Sequence, residues 1–187
     1  MENAAARERI AALAAGLIRD GEAIIVDSGR SGLAVARALV NRHLTVMPLS
    51  LPSAVALSAS SSVSLLLPGG NTRFGEGTMV GPIAEASLAA LRFDTVVLTC
   101  CGLSAEDGVT ARDPQDAAVK RAAVKSSRRT VLVAEGTKFT RTALASVCPA
   151  ETIDILITDE TAPSAALDRF RDAGVDVRVA VGNEEGP

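Results

Sequence analysis

The chain has 187 residues, a net charge of −3 and a pI of about 5.3, and 48% of its residues are hydrophobic. This length predicts one domain with a sizeable core. The net negative charge argues against the basic surface that is typical of DNA- and RNA-binding domains. There is no Trp or Tyr and there are only 4 Phe, so the chain also lacks the aromatic platforms on which single-stranded nucleic acids stack.

Cysteine usage and hydropathy favour a reducing, aqueous compartment. The 3 cysteines, two of them adjacent, make no disulfide framework. The first 20 residues carry charges of both signs, unlike a secretory signal, and the apolar runs are too short to span a bilayer. We therefore expect a cytoplasmic protein with no membrane partner.

The alternation of apolar runs with amphipathic segments predicts an α/β fold. A helix over 4–19, for example, places apolar residues at positions 10, 13, 14, 17 and 18. In chain order the sequence predicts a helix over 4–19, strand 23–26, helix 31–41, strand 44–47, helix 52–58, strand 63–67, a flexible connector over 69–77, helix 82–91, strand 95–99, a long loop over 100–113, helix 114–127, strand 130–134, strand 153–158, helix 163–173, strand 175–180 and a disordered tail over 181–187. Such strands predict a mainly parallel sheet covered by helices on both faces, in a single domain over 1–187.

The segment 27–32, Asp-Ser-Gly-Arg-Ser-Gly, joins the first strand to a helix. The free backbone N–H groups and the dipole of a helix start attract an anion. Ser28 and Ser31 add hydroxyl donors, Arg30 adds a positive charge, and the two glycines let the backbone come close to a ligand. The segment therefore predicts a phosphate-binding turn. The alternative is an N-capped turn with Ser28 or Ser31 as the cap.

The residues that follow the other strands are mostly small or polar. In a parallel sheet, ligands bind outside the carboxyl ends of the strands, so these residues indicate the mouth of a site for a polar ligand. The residues concerned are Ser50, Gly69, Gly70, Cys100, Cys101, Gly102, Glu135, Gly136, Thr137, Lys138, Thr158 and Asp159.

The order and spacing of these motifs resemble the C-terminal effector domain of DeoR-type transcriptional repressors over about residues 5–180. The motifs that carry the resemblance are 20–22 (DGE), 26–29 (VDSG), 50–52 (SLP), 69–70 (GG), 80–82 (VGP), 117–121 (AAVKR), 138–139 (KF) and 153–159 (IDILITD). That family is similar in fold to ribose-5-phosphate isomerase and glucosamine-6-phosphate deaminase. The resemblance implies a sensor of a phosphorylated sugar or polyol that works as a homo-oligomer, a dimer or a tetramer.

The chain also departs from the family. The repressors carry an N-terminal winged helix-turn-helix, for which the sequence before the first predicted helix has no room. We therefore expect DNA contact only through a DNA-binding domain absent from this chain, which is either an excised domain or a stand-alone relative. Cys101 stands where the family usually has an acidic residue, and Arg30 replaces a Thr of the phosphate loop.

Residues of the strand ends and of the fifth predicted helix are the candidate ligand contacts. By resemblance Lys138 faces the ligand and Asp116 reaches the sugar, although Asp116 and Lys120 at i, i+4 also fit a helix-surface ion pair. The predicted ligand-binding residues are Asp27, Ser28, Gly29, Arg30, Ser31, Ser50, Gly69, Gly70, Cys101, Gly102, Asp116 and Lys138.

Other roles for these residues stay open. Instead of contacting the ligand, Asp27 could brace its own loop. Arg30 and Lys138 also fit solvated surface positions, and Cys101 also fits a small buried hydrophobic residue. No His/Cys cluster has metal-ligand spacing, and we expect no metal, cofactor or catalytic residue. The rival function is an aldose–ketose isomerase or deaminase on the same fold, with Asp116 or Glu135 as its base. A third possible function is an oligomerisation module that binds no ligand.

Overall fold

The computed structural model describes residues 2–182, and side chains from residue 4 onward. Most of the predicted tail, residues 183–187, lies outside this range. The helices are α1 Glu2–Leu17, α2 Gly29–Ala38, α3 Leu51–Ser58, α4 Pro82–Ala89, α5 Pro114–Lys125 and α6 Ser164–Asp172. The strands are β1 Ala23–Val26, β2 Leu44–Pro48, β3 Val63–Leu65, β4 Asn71–Thr72, β5 Met79–Val80, β6 Phe93–Leu98, β7 Gly102–Ser104, β8 Gly108–Ala111, β9 Ser127–Val133, β10 Ala145–Cys148, β11 Ile155–Asp159 and β12 Asp176–Ala180.

Seven strands form the central sheet in the order β12-β11-β9-β6-β1-β2-β3. Every neighbouring pair in it is parallel, which confirms the predicted fold class. The chain runs outward from β1 through β2 to β3 and then returns to β6 on the other side of β1. The strand order therefore reverses between β1 and β6, the place where open α/β sheets bind their ligands.

Two hydrophobic cores cover the two faces of this sheet. Ile24 of β1 packs in the core that contains Ile10 of α1 and Val35 of α2. Ile25, the next residue along the strand, packs in the core that contains Leu88 of α4 and Phe170 of α6. Because successive side chains of a strand point to opposite faces, burial on both faces explains the continuous apolar runs of the predicted strands.

Two segments predicted to be loops contain short strands. Residues 100–113 hold the β7–β8 hairpin, which pairs with β10 in a three-stranded antiparallel sheet. Gly108 turns the hairpin with a φ of +67°, a value that favours glycine. The predicted connector over 69–77 contains β4, which pairs with β5. These predictions were wrong because such short strands lack the apolar run that marks the central ones.

The ends of the predicted helices need small corrections. Helix α2 begins at Gly29, two residues before the predicted start, and its buried side includes Val35 and Ala36. Leu33 is only partly buried and contributes to a cavity wall. Within residues 2–182, no helix is both long and apolar enough to cross a membrane.

Candidate functional site

A cavity of about 420 Å³ opens where the strand order reverses. Its wall is built from the residues that follow four parallel strands, β1, β2, β6 and β9, together with the first turn of α5. Helices cover both faces of the sheet, so the carboxyl edge is where backbone and polar side chains can meet a ligand. The cavity lies at the edge that the sequence indicated.

The first turn of α2 forms one wall of this cavity through Ser28, Gly29, Arg30 and Ser31. Ser28 is the N-cap residue, but its side chain makes no capping hydrogen bond, and the first turn contains no acidic residue. The N-capped alternative from the sequence therefore does not hold for Ser28. A helix start without a side-chain cap leaves backbone N–H groups free to bind an anion, and the helix dipole favours negative charge there.

Gly32 brings this helix close to the end of β1. A Cβ atom at this position would lie 1.9 Å from the carbonyl oxygen of Asp27. Only glycine fits here without a backbone shift, since carbon and oxygen in van der Waals contact are more than 3 Å apart. Gly32 therefore fixes how closely the candidate anion-binding turn approaches the sheet.

A buried ion pair lies beneath the turn. Asp27 is fully buried, and its Oδ1 accepts a hydrogen bond from the Ser28 N–H at 2.7 Å. Its Oδ2 accepts hydrogen bonds from the Thr99 N–H and Oγ1, both at 2.8 Å, and from the ammonium of Lys120. Asp27 thus ties the loop after β1 to the loop after β6 and to α5, which matches the bracing alternative that the sequence left open.

Lys120 donates hydrogen bonds to Asp27 and Thr99. Besides Asp27, its Nζ donates to Thr99 Oγ1 at 3.2 Å and to the Thr99 carbonyl at 3.4 Å. Burial by itself lowers the pKa of Lys120, but the carboxylates of Asp27 and Asp116 outweigh it and raise this pKa above its ordinary value. The side chain is therefore a buried ammonium that keeps its charge at neutral pH.

Asp116 lies in the first turn of α5 with only 4% of its surface exposed. The side chain of Asp113 caps the helix by accepting hydrogen bonds from the N–H groups of Gln115 and Asp116. The Asp116 Oδ2 is 3.8 Å from Lys120 Nζ, and its Oδ1 is buried with no hydrogen-bond partner among the described residues. The suggestion of a helix-surface ion pair is therefore wrong, because both residues are buried.

Burial changes the titration of Asp116. Loss of hydration raises the pKa of its carboxyl from 3.8 to about 6, although the charge of Lys120 acts in the opposite direction and lowers it. The charge of Asp27 adds to the rise. A carboxyl group with a pKa near 6 in a cavity is a group that can exchange a proton or accept a ligand hydrogen bond near neutral pH.

The loop after β9 brings Lys138 and Glu135 to the cavity wall as well. Gly136 anchors this loop because its N–H donates to Asp159 Oδ2 at 3.0 Å. Burial by itself raises the pKa of Asp159, but hydrogen bonds from Thr161 and from the Gly136 N–H lower it below its ordinary value. Glu135 Oε1 lies 3.2 Å from Arg7 Nε of α1, whereas Lys138 adds a positive charge to the wall.

The two adjacent cysteines lie after β6, and both contribute to the cavity wall. Exclusion of water raises the pKa of Cys100 to about 12, so its thiol stays protonated at neutral pH. Cys101 is half-buried and is not the fully buried hydrophobe that the sequence alternative suggested. Across residues 2–182, no three His, Cys, Asp or Glu side chains cluster closely enough to hold a metal ion.

The structure brings most of the predicted site residues to one place. The predicted residues in the cavity wall are Ser28, Gly29, Arg30, Ser31, Ser50, Cys101, Asp116 and Lys138. Asp27 lies beneath the wall, and Gly69, Gly70 and Gly102 are outside the lining. Gly70 instead packs closely, since an added Cβ would meet the Val80 carbonyl at 2.5 Å.

Several cavity residues escaped the sequence analysis. Arg112 and Glu76 line the wall from the segments before α5 and before β5, which were predicted to be a loop and a flexible connector. Thr99 and Lys120 also line it. The Lys120 position carried one signal, its i, i+4 spacing to Asp116, but a local pattern does not show that Asp27 lies on the other side.

Comparison with known proteins gives a consistent set of relatives. A family model described as the DeoR C-terminal sensor domain matches residues 2–160. The chain is 32% identical to a putative aga operon transcriptional repressor of Escherichia coli O157:H7, over 94% of this chain and 65% of that protein. It is 30% identical to the HTH-type transcriptional regulator GolR of Listeria innocua, over 96% of this chain and 71% of that protein. It is 28% identical to the glycerol-3-phosphate regulon repressor of Escherichia coli K12, over 89% of this chain and 66% of that protein.

The chain therefore spans about two thirds of the length of these relatives. Among solved structures, a ribose-5-phosphate isomerase A from Methanocaldococcus jannaschii aligns with a TM-score of 0.55 at 12% identity. That alignment covers 73% of this chain and 55% of the isomerase chain. At this identity the likeness shows a shared fold and nothing about activity.

Proposed function

The chain belongs to the family of DeoR C-terminal sensor domains, and on this premise we propose that it binds a small phosphorylated sugar or polyol as the effector of a transcriptional regulator. The observation that carries this proposal is the open first turn of α2 at the reversal point of the sheet, where Gly29, Arg30 and Ser31 line a cavity. Backbone N–H groups, a helix dipole and a guanidinium together suit a phosphoryl group.

The rest of the cavity suits a polyhydroxyl body. In the proposed pose the phosphoryl group binds Ser28 to Ser31 with Lys138 near it, and the hydroxyls face Ser50, Cys101 and Asp116. Gly69, Gly70 and Gly102 lie outside the cavity lining, so this pose gives them no ligand contact. The name of one relative, a glycerol-3-phosphate regulon repressor, supports a phosphorylated polyol as one member of the ligand class.

We propose that the ligand is bound without turnover. Isomerisation of a sugar phosphate needs a base within hydrogen-bond reach of the proton that it removes. Resemblance places the usual acidic residue of this fold at Cys101, where this chain has a thiol. One observation favours the rival isomerase, namely the Asp116 carboxyl with its pKa near 6 inside the cavity. Turnover that is lost on Asp116→Asn or Glu135→Gln would support the enzyme.

The remaining proposals concern the whole regulator. We propose a single effector-sensing domain, with DNA bound through a separate DNA-binding domain; the names of two relatives, an operon transcriptional repressor and an HTH-type transcriptional regulator, support a role in transcription. We also propose a symmetric homo-oligomer, a dimer or a tetramer, because operator half-sites mirror a two-fold axis of the protein that reads them.

Thermal denaturation with a panel of phosphosugars tests the proposed site. Ribose-5-phosphate, hexose-6-phosphates and glycerol-3-phosphate are added at increasing concentration, and a ligand that binds the folded state raises the melting temperature. The double variant Arg30→Ala, Ser31→Ala is expected to lose this rise. The matched control is Arg37→Ala, an exposed arginine later in the same helix, which is expected to keep it. An undiminished rise in the double variant would show that the phosphoryl group binds elsewhere.

A further inference from the structure

Three buried ionisable side chains beside the cavity leave one negative charge without a partner. Asp27 and Asp116 are carboxylates, Lys120 is the ammonium between them, and all three are at least nine-tenths buried. Lys120 directs its donors to Asp27 and Thr99, and the Asp116 Oδ2 is 3.8 Å away, beyond hydrogen-bond distance. Asp27 is therefore satisfied, and Asp116 is not.

The residue that carries the unsatisfied atom lines the cavity. Asp116 contributes to the cavity wall, and its Oδ1 is buried without a hydrogen-bond partner among residues 2–182. A buried carboxylate oxygen that lacks a donor is costly. The structure therefore holds an acceptor that a donor on the ligand would complete.

The charges around Asp116 favour a cationic donor over a neutral one. The other ionised groups that act on it are Arg73 and Glu76, which have opposite signs and lie 3.4 Å apart. They leave the excess negative charge of the buried trio in place. A ligand hydroxyl supplies a hydrogen bond, whereas a ligand ammonium supplies a hydrogen bond and balances the charge.

The cavity wall carries charged groups of both signs. The cations that line it are Arg30, Arg112, Lys120 and Lys138, and the acidic groups are Glu76, Asp116 and Glu135. We propose that the effector is an aminated sugar phosphate, with its phosphoryl group on the first turn of α2 and its ammonium group hydrogen-bonded to Asp116. This inference rests on the proposed function and narrows its ligand class.

Titration calorimetry at pH 7 with paired ligands tests the inference. Glucosamine-6-phosphate is compared with glucose-6-phosphate, and galactosamine-6-phosphate with galactose-6-phosphate, so that each pair differs in one amino group. A charge-assisted hydrogen bond to a buried acceptor predicts at least about 10-fold tighter binding of the aminated member in one of the pairs. N-acetylation of that member removes the charge and is expected to remove the preference.

The variant Asp116→Asn is expected to bring the affinity ratio of the pair close to one. Asp172→Asn, an exposed aspartate at the end of α6, is the control and should keep the ratio. Equal affinities within both pairs for the unmodified chain, or a ratio that survives Asp116→Asn, would overturn the inference. In that case, if Arg30→Ala, Ser31→Ala still abolishes binding of both members, the proposed function stands. If no phosphosugar binds at all, the proposed function and the inference both fail.

Discussion

Replacing Asp116 by Asn should stabilise the folded chain at neutral pH and do so much less in acid. A pKa raised from 3.8 to about 6 means that the folded state holds a proton which the unfolded chain has already released. The free energy of unfolding therefore falls as pH rises from about 4 to 6, and the loss is complete above that window. One pKa unit corresponds to about 1.4 kcal/mol, so the full cost of ionised Asp116 is about 3 kcal/mol.

Asparagine is close in shape to the protonated side chain and never carries this charge. We expect Asp116→Asn to raise the free energy of unfolding by about 2 to 3 kcal/mol at pH 7.5, or roughly 5–10 °C in melting temperature for a domain of this size. Below pH 4, where Asp116 is protonated, the difference should shrink toward zero.

Urea denaturation of both proteins at a series of pH values between 3.5 and about 8 provides the measurement, analysed by linear extrapolation. Asp172→Asn is the matched control, and its effect should stay within about 0.5 kcal/mol at every pH because this aspartate is exposed. Destabilisation by Asp116→Asn at pH 7.5, or an effect that does not change with pH, would refute the reasoning. Either result would mean that ionised Asp116 is well satisfied in the fold.

Four further predictions concern packing, charge and assembly. Gly32→Ala should lower the free energy of unfolding by several kcal/mol because its Cβ would lie 1.9 Å from the Asp27 carbonyl oxygen. The control Gly16→Ala in α1, with open space around it, should raise the free energy of unfolding by about 0.5–1 kcal/mol. Thermal melts in which the two variants behave alike would contradict this prediction. Lys120→Met should cost about 3–5 kcal/mol in urea denaturation, since it leaves Asp27 buried without its cation, and a neutral effect would mean that the pair contributes little. Light scattering at micromolar concentration should give a multiple of 19.1 kDa, and a clean monomer would argue against the proposed assembly. The chain alone, with its net charge of −3, should not shift a promoter fragment specifically at physiological salt, and a specific shift would show that it reads DNA itself.

The sequence was informative where a strand is long and buried on both sides. Segments such as 23–26 and 130–134 are continuous apolar runs bounded by polar or glycine residues, and the structure places them in the central sheet as β1 and β9. The β8 and β10 strands pair across more than 30 intervening residues, and neither has a run of large apolar side chains. Their pairing depends on the tertiary fold, which a local pattern does not contain.

The candidate site likewise contains a part that the sequence predicted and a part that it did not. The first turn of α2 was predicted because a strand, a small polar turn and a helix are adjacent in sequence. The trio of Asp27, Asp116 and Lys120 was missed as a unit, since Asp27 and Lys120 are 93 residues apart. Read locally, Asp116 and Lys120 resemble a solvated ion pair. Only the contact of Lys120 with Asp27 shows that the pair is buried and that the trio carries one unmatched negative charge.

The central claim is that a phosphoryl group binds the first turn of α2. Its most direct test is a titration followed by amide chemical shifts, with the chain labelled with nitrogen-15 and a phosphosugar that raises its melting temperature. We predict large, saturable shifts at the N–H groups of Gly29, Arg30 and Ser31, with the same dissociation constant as calorimetry. Saturable binding that leaves these three amides unmoved and shifts residues of another surface would contradict it.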